Sequence, residues 1–182
     1  LLNLFQNKSY NISRFDSPDF HRTIKSILEN EKFDIIQLES LFMTPYINTI
    51  RNHSKALLVL RAHNVEYVIW ERLALAAKSS VRKWYLNLLA SSLKKYETKV
   101  IKKLDAIVAL TGDDDKTIKD AGCQVPVLIS PIGLDMEKYS VQTLETATPS
   151  IFHLGSMDWM PNIEGVNWFL EYVYPLITQN KN

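Results

Sequence analysis

The chain has 182 residues, 46% hydrophobic and 23% charged, with 21 Lys and Arg against 20 Asp and Glu for a net charge of +1. This is ordinary globular usage, enough for one good core plus a piece of a second domain, and a balance so near zero excludes a global electrostatic reason to bind nucleic acid. Cys123, the single cysteine, excludes an intrachain disulfide framework and a Cys-based zinc site, and the absence of a signal-peptide pattern or a 20-residue apolar run predicts a cytoplasmic protein, soluble or at most surface-bound.

In chain order, Ser17-Pro18-Asp19 reads as a helix start, with Ser17 at the N-cap, Pro18 at the first helical position, and Phe20, Ile24, Ile27 and Leu28 on one face. Asp34 to Glu39 (DIIQLE) is a first short apolar run. Leu41 to Asn52 reads as a helix whose first turn must hold Pro45 or be kinked by it. Ala56 to Leu60 (ALLVL) is a second run. A long helix is predicted from about Ser80 to Lys103, with Tyr85, Leu89, Leu93, Tyr96, Val100 and Leu104 as its apolar stripe. Asp105 to Leu110 (DAIVAL) and Val125 to Ser130 (VPVLIS) are the third and fourth runs. Between them lies a short helix, Asp113 to Ala121, which stops at Gly122. Its carboxylates Asp113, Asp114 and Asp115 read as an acidic first turn capped by Thr111 in preference to a cation site. Short apolar runs alternating with helices predict an α/β fold, a Rossmann-like doubly wound sheet of parallel strands covered on both faces.

A polar stretch, Tyr139 to Ser150, interrupts this pattern and reads as a linker. The expected organisation is a first domain over residues 1–140, a linker over 141–149, and the start of a second domain over 150–182. In that last part the run from Ile151 reads as a strand entering a Gly155-Ser156 turn. A helix opened by Pro161-Asn162 comes next, with Ile163, Val166, Leu170, Val173 and Ile177 as its apolar positions. A strand, a glycine turn and a helix in this order form a phosphate-binding start, since glycine lets a phosphate approach the backbone where the helix begins.

Two segments fall at the carboxyl edge of the predicted sheet, where open parallel sheets bind ligands. Arg61-Ala62-His63-Asn64-Val65-Glu66 lies after the second strand. It reads equally as a loop in which Asn64 caps the next helix and His63 is merely exposed, or as a site in which His63 faces a polar ligand. Ser130-Pro131-Ile132-Gly133-Leu134-Asp135 lies after the fourth, where Gly133 would permit a tight turn beside a ligand and Asp135 would cap or orient the segment; the plainer alternative is a simple strand exit. The basic side chains between Lys78 and Lys103 read as a solvated face opposite the buried stripe, or as a surface for peripheral contact with anionic lipid. Among the tryptophans, Trp159 is placed after Gly155, where it would reach a cleft.

Taken together, FDIIQLE, RAHNVE with Trp70 and Glu71 beyond it, the long helix with Tyr96-Glu97, LDAIVALTGDD, SPIGLD and HLGSMDWMPNIEGVNWFLEYVYP resemble, in this order, the family 4 retaining glycosyltransferases. These are two-domain enzymes of the GT-B fold that move a sugar from a nucleotide-sugar donor. The resemblance implies that residues 1–140 are the acceptor-side domain without its first strands and that residues 150–182 open the donor domain. By it, His63 would hydrogen-bond the donor sugar near the reacting carbon, and Gly155 and Ser156 would lie near the donor phosphates. Arg61, Asn64, Gly133 and Trp159 are the other binding candidates. Transfer would retain the anomeric configuration without a metal or other cofactor. The partners would be the nucleotide sugar and a glycan or lipid-linked acceptor, at the cytoplasmic side of a membrane or free in solution. Ile132 stands where the family often has Asn. The chain alone is expected to be inactive, with the edge of DIIQLE open to pairing with a second copy. Alternative readings are a non-catalytic α/β binding module and a sugar-nucleotide epimerase of the same fold.

Overall fold

The computed structural model describes residues 10–139, 150–158 and 160–179, and the chain divides into two units, residues 1–134 and 135–182. The expected linker over 141–149 lies outside the described residues.

In the first unit, two helices, α1 (Tyr10–Ser13) and α2 (Pro18–Asn30), precede strand β1 (Ile35–Glu39). A 3₁₀ segment (Leu41–Tyr46) and helix α3 (Ile47–His53) lead to β2 (Leu57–Ala62). Helices α4 (Glu66–Ala76) and α5 (Ser80–Val100) lead to β3 (Ala106–Ala109), and α6 (Gly112–Asp120) leads to β4 (Val127–Ile129). All four predicted strands are present, and every pairing is parallel, with Leu38 opposite Leu60 and Leu60 opposite Ile107. Pro45 sits inside the 3₁₀ segment; it has no N–H to give a regular α-helical ladder, so the helix proper begins only at Ile47.

The sheet is wound on one face, not two as the sequence predicts. Its order is β1-β2-β3-β4, and right-handed crossovers that always step in the same direction all fall on the same side. Leu38, Leu58, Leu60, Ala62, Ile107 and Ala109 are buried on that side. They form one core with Ile47 and Ile50 of α3, Tyr67 of α4, Leu93 and Val100 of α5 and Ile118 of α6. The alternate residues Ile35, Leu57 and Leu128 are exposed. A doubly wound sheet requires a reversal of strand order, and the described residues contain none.

Local chemistry sets the helix ends. Thr111 caps α6 by accepting from the Asp114 N–H at 3.1 Å while its hydroxyl donates to the Asp114 carboxylate at 2.6 Å. The acidic triplet is therefore the first turn of a capped helix, and the described residues hold no group of three or more His, Cys, Asp or Glu arranged for a metal ion. Gly122 takes φ +86° just after α6, as a left-handed helix stop requires. In α5, Leu89, Leu93 and Val100 are buried as predicted, but Leu86 goes inward and Tyr85 faces out. At the amino edge of the sheet, Arg51 donates to the carbonyls of Ala56 and Lys103 and to Asp105 Oδ2 at 2.8 Å, and the same oxygen accepts the Leu58 N–H. That network ties α3, β2 and the approach to β3 together and holds the Asp105 carboxyl below its ordinary pKa, first through the Leu58 bond and then through Arg51.

In the second unit a 3₁₀ turn (Met136–Lys138) is capped by Asp135, whose carboxylate accepts from the Glu137 N–H. The predicted strand at Ile151 does not form among the described residues: residues 150–154 pair with no other described segment, and a strand exists only through the neighbour that satisfies its backbone. The helix does form, as α7 (Met160–Trp168), a π-helical stretch (Phe169–Val173) and α8 (Tyr174–Gln179). Pro175 lies within this run and does not end it. It lacks the N–H for an i→i−4 bond, and the bond from the Tyr174 N–H to the Phe169 carbonyl spans the wider turn just ahead of it.

Candidate functional site

The carboxyl ends of β1 and β2 bring together the polar residues that the sequence places after two different runs. Glu39 ends β1 opposite Arg61 of β2, and strand alternation sets both on the uncovered face of the sheet with Gln37. His63, one residue beyond β2, is exposed and lies with Nε2 3.0 Å from Glu39 Oε2. Gln37 Nε2 donates to the other carboxylate oxygen. The Gln37 bond is the largest effect on the Glu39 carboxyl; desolvation opposes it, and the His63 bond and the charge of Arg61 add smaller lowering effects, so the group is held below its ordinary range. An ionised carboxylate only accepts, so His63 Nε2 carries the proton in this pair, and in the neutral ring Nδ1 is left as an acceptor. Arg61 Nε is buried with no hydrogen-bond partner among the described residues.

Ser40, the residue after Glu39, takes φ +98° and ψ 161°. This region is nearly reserved for glycine, and backbone strain of this kind gathers at sites where the surrounding structure fixes it. Here the Ser40 N–H bonds to the carbonyls of Leu38 and Arg61, each at 3.1 Å, which pins the end of β1 against β2. Neither Ser40 nor Glu39 is marked out by sequence reasoning. The Glu39 signal was available in the alternation of DIIQLE, which puts Gln37 and Glu39 on one face, but the strain at Ser40 leaves no trace in residue type.

Asn64 does not cap α4. The N-cap is Val65, with no side-chain bond of its own, and the free amides of the first turn are taken from outside the helix. Glu97 of α5 accepts from the Glu66 N–H at 3.3 Å and from the Tyr67 N–H at 3.1 Å. Asn64 instead lies beside the Glu66 carboxylate and lowers its pKa against the larger raising effect of desolvation. The side chains of Glu66 and Glu97 are both buried. Desolvation raises the Glu97 carboxyl to about 7 against the lowering effect of its two amide bonds, with the Glu66 charge adding to the rise.

The remaining candidates are placed less as expected. Gly133 comes after β4 at the same edge, but its φ is not in the left-handed range and a Cβ there would meet nothing within 4 Å, so no tight turn requires a glycine. At Gly155 a Cβ would fall 2.7 Å from His153 Nε2 and 2.8 Å from Asn162 Nδ2, so a larger residue would make these two side-chain ends move aside. The room this glycine provides is taken by the unit's own side chains, and Asn162 Nδ2 donates to the Ser156 carbonyl at 2.9 Å. The Ser156 hydroxyl is held by the Asp158 carboxylate. Trp159 lies outside the described residues. The structure thus brings Arg61 and His63 to Glu39 in the first unit, leaves Asn64 beside Glu66, and forms Gly155 and Ser156 into a local turn in the second.

Comparisons with protein-family models, with curated proteins and with solved structures found no match to this chain.

Proposed function

We propose that this chain is part of a nucleotide-sugar-dependent glycosyltransferase of the retaining, GT-B type, with His63 contacting the donor sugar. The observation that supports this reading most is the position of His63 at the carboxyl edge of an all-parallel sheet, with its tautomer set by Glu39. An imidazole whose Nε2–H is held by a carboxylate offers Nδ1 to a sugar hydroxyl, and it does so from a strand end without having to reorganise. Arg61 adds positive charge beside it, suited to a ligand that carries phosphate. In this reading Gly155 and Ser156 contribute backbone to the donor side, and the acceptor is a glycan or a lipid-linked sugar.

The test is transfer by the full natural protein that contains this segment, assayed as release of nucleoside diphosphate from a panel of nucleotide sugars. One donor is expected to be consumed in an acceptor-dependent way. His63→Ala is expected to reduce kcat about a hundredfold or more, the usual cost of removing a donor or acceptor aimed at the reacting group. Full turnover by His63→Ala, or no consumption of any nucleotide sugar by the parent protein, would contradict the proposal.

A further inference from the structure

Helix α5 carries two apolar faces where it leaves its connection to α4. The buried stripe is Leu86, Leu89, Ala90 and Leu93. A second stripe, Val81, Trp84 and Tyr85, has the same i, i+3, i+4 spacing but begins five residues earlier, about 140° away around the helix at ~100° per residue. It is open: Val81 is 76% exposed and Trp84 65%, and Leu75, at the end of α4 across the short connection, is 74% exposed. Large side chains concentrated at one exposed corner mark a contact surface.

Its charge identifies the kind of partner. From Arg72 to Tyr96 the chain has no acidic residue, while Lys78, Arg82 and Lys83 alternate in sequence with the exposed apolar residues and flank their stripe. All three cations are themselves exposed. Farther along α5 the situation differs: Lys94 lies 3.2 Å from Glu71 and 4.6 Å over the Tyr67 ring. Part of the basic face is therefore occupied within the fold, and the α4–α5 corner combines exposed cations with exposed aromatic and aliphatic groups. That combination matches an anionic bilayer surface, where Lys and Arg meet lipid phosphates and Trp and Tyr settle at the headgroup level. No helix among the described residues is long and apolar enough to cross a membrane, so the contact is peripheral.

We propose that the α4–α5 corner, through Leu75, Val81, Trp84 and Tyr85 with Lys78, Arg82 and Lys83, docks this protein on anionic lipid.

The experiment is flotation of the full chain with vesicles of phosphatidylcholine alone and of phosphatidylcholine mixed with phosphatidylglycerol. The parent is expected to float with the anionic vesicles at least tenfold better than with the neutral ones, and less as salt rises. The variants Val81→Ser/Trp84→Ala and Lys78→Glu/Arg82→Glu/Lys83→Glu are each expected to reduce that binding about tenfold or more, since each removed cation near the surface counts for roughly a fivefold change. Lys99→Glu/Lys102→Glu/Lys103→Glu, at the far end of α5, is expected to bind like the parent. The corner residues are exposed, so all variants should keep the parent circular dichroism spectrum and Tm. Equal binding to both vesicle types, corner variants that float like the parent, or a dimer of the parent that Trp84→Ala dissolves in lipid-free light scattering would overturn the assignment.

Discussion

At the scale of single residues, Ser40 is the most informative position. A serine at φ +98° costs about 1–3 kcal/mol relative to an allowed conformation, while glycine carries about 1 kcal/mol of extra unfolded-state entropy. Ser40→Gly is therefore expected to leave stability unchanged or raise it by up to about 2 kcal/mol, and Ser40→Val to lower it, in urea titrations with an unchanged m-value. A Ser40→Gly variant clearly less stable than the parent would show that the side chain, and not the backbone geometry, is what matters there. Glu39 acts by contact. Glu39→Gln leaves His63 without its charged partner, and in the proposed enzyme it is expected to reduce kcat by a smaller factor than His63→Ala, because it disturbs the orientation of the ring and leaves the ring itself in place.

Among the elements, the α4–α5 pair is joined by Glu97, a carboxylate from one helix that caps the first turn of the other. Its folded-state pKa of about 7 is raised from 4.5, so the folded protein holds a proton that the unfolded chain releases. The stability this contributes is complete below about pH 4.5 and is lost as pH rises through about 7. At 1.36 kcal/mol per unit, the effect amounts to at most about 3 kcal/mol. Glu66, raised mainly by desolvation, acts in the same direction. Thermal melts between pH 5 and pH 8 are expected to show Tm falling with pH in the parent and falling less in Glu97→Gln. Glu97→Ala, which strands two buried amides, is expected to lose about 2–3 kcal/mol at pH 5 and less at pH 8, where ionisation of Glu97 already weakens the parent. Identical pH dependence in the parent and Glu97→Gln would contradict the account. Elements of this kind divide into what sequence can and cannot show. The four strands, the cap at Thr111 and the stop at Gly122 were legible because each rests on residues adjacent in the chain. The Glu97 cap joins positions 31 residues apart, and no local pattern distinguishes it from the cap assigned to Asn64. The strand at Ile151 failed for a related reason: an apolar run states a preference, and pairing depends on a neighbour elsewhere.

For the molecule as a whole, the sequence implied a sheet covered twice, and the structure has one covered face and one open one. Apolar alternate residues such as Ile35, Leu57 and Leu128 made the two arrangements look alike in sequence, because a continuous apolar run carries no mark of which face has a partner. The open face is also what gives the candidate site its position. Gln37, Glu39, Arg61 and His63 occupy its carboxyl end, where two strands that are distant in sequence finish side by side. That adjacency was foreseeable from parallel topology, though the Glu39 contact to His63 was not.

The proposed activity requires a nucleotide sugar to meet this unit at that cluster. Nuclear magnetic resonance of the chain labelled with ¹⁵N in its histidine rings, titrated with nucleotide sugars, tests it most directly. The expected result is a saturable shift of the His63 ring nitrogens for at least one donor, reached only at higher donor concentration in Glu39→Gln, while the rings of His21 and His53 stay in place. Rings that all remain unmoved by every donor, or that respond at His21 and His53 but not at His63, would contradict it.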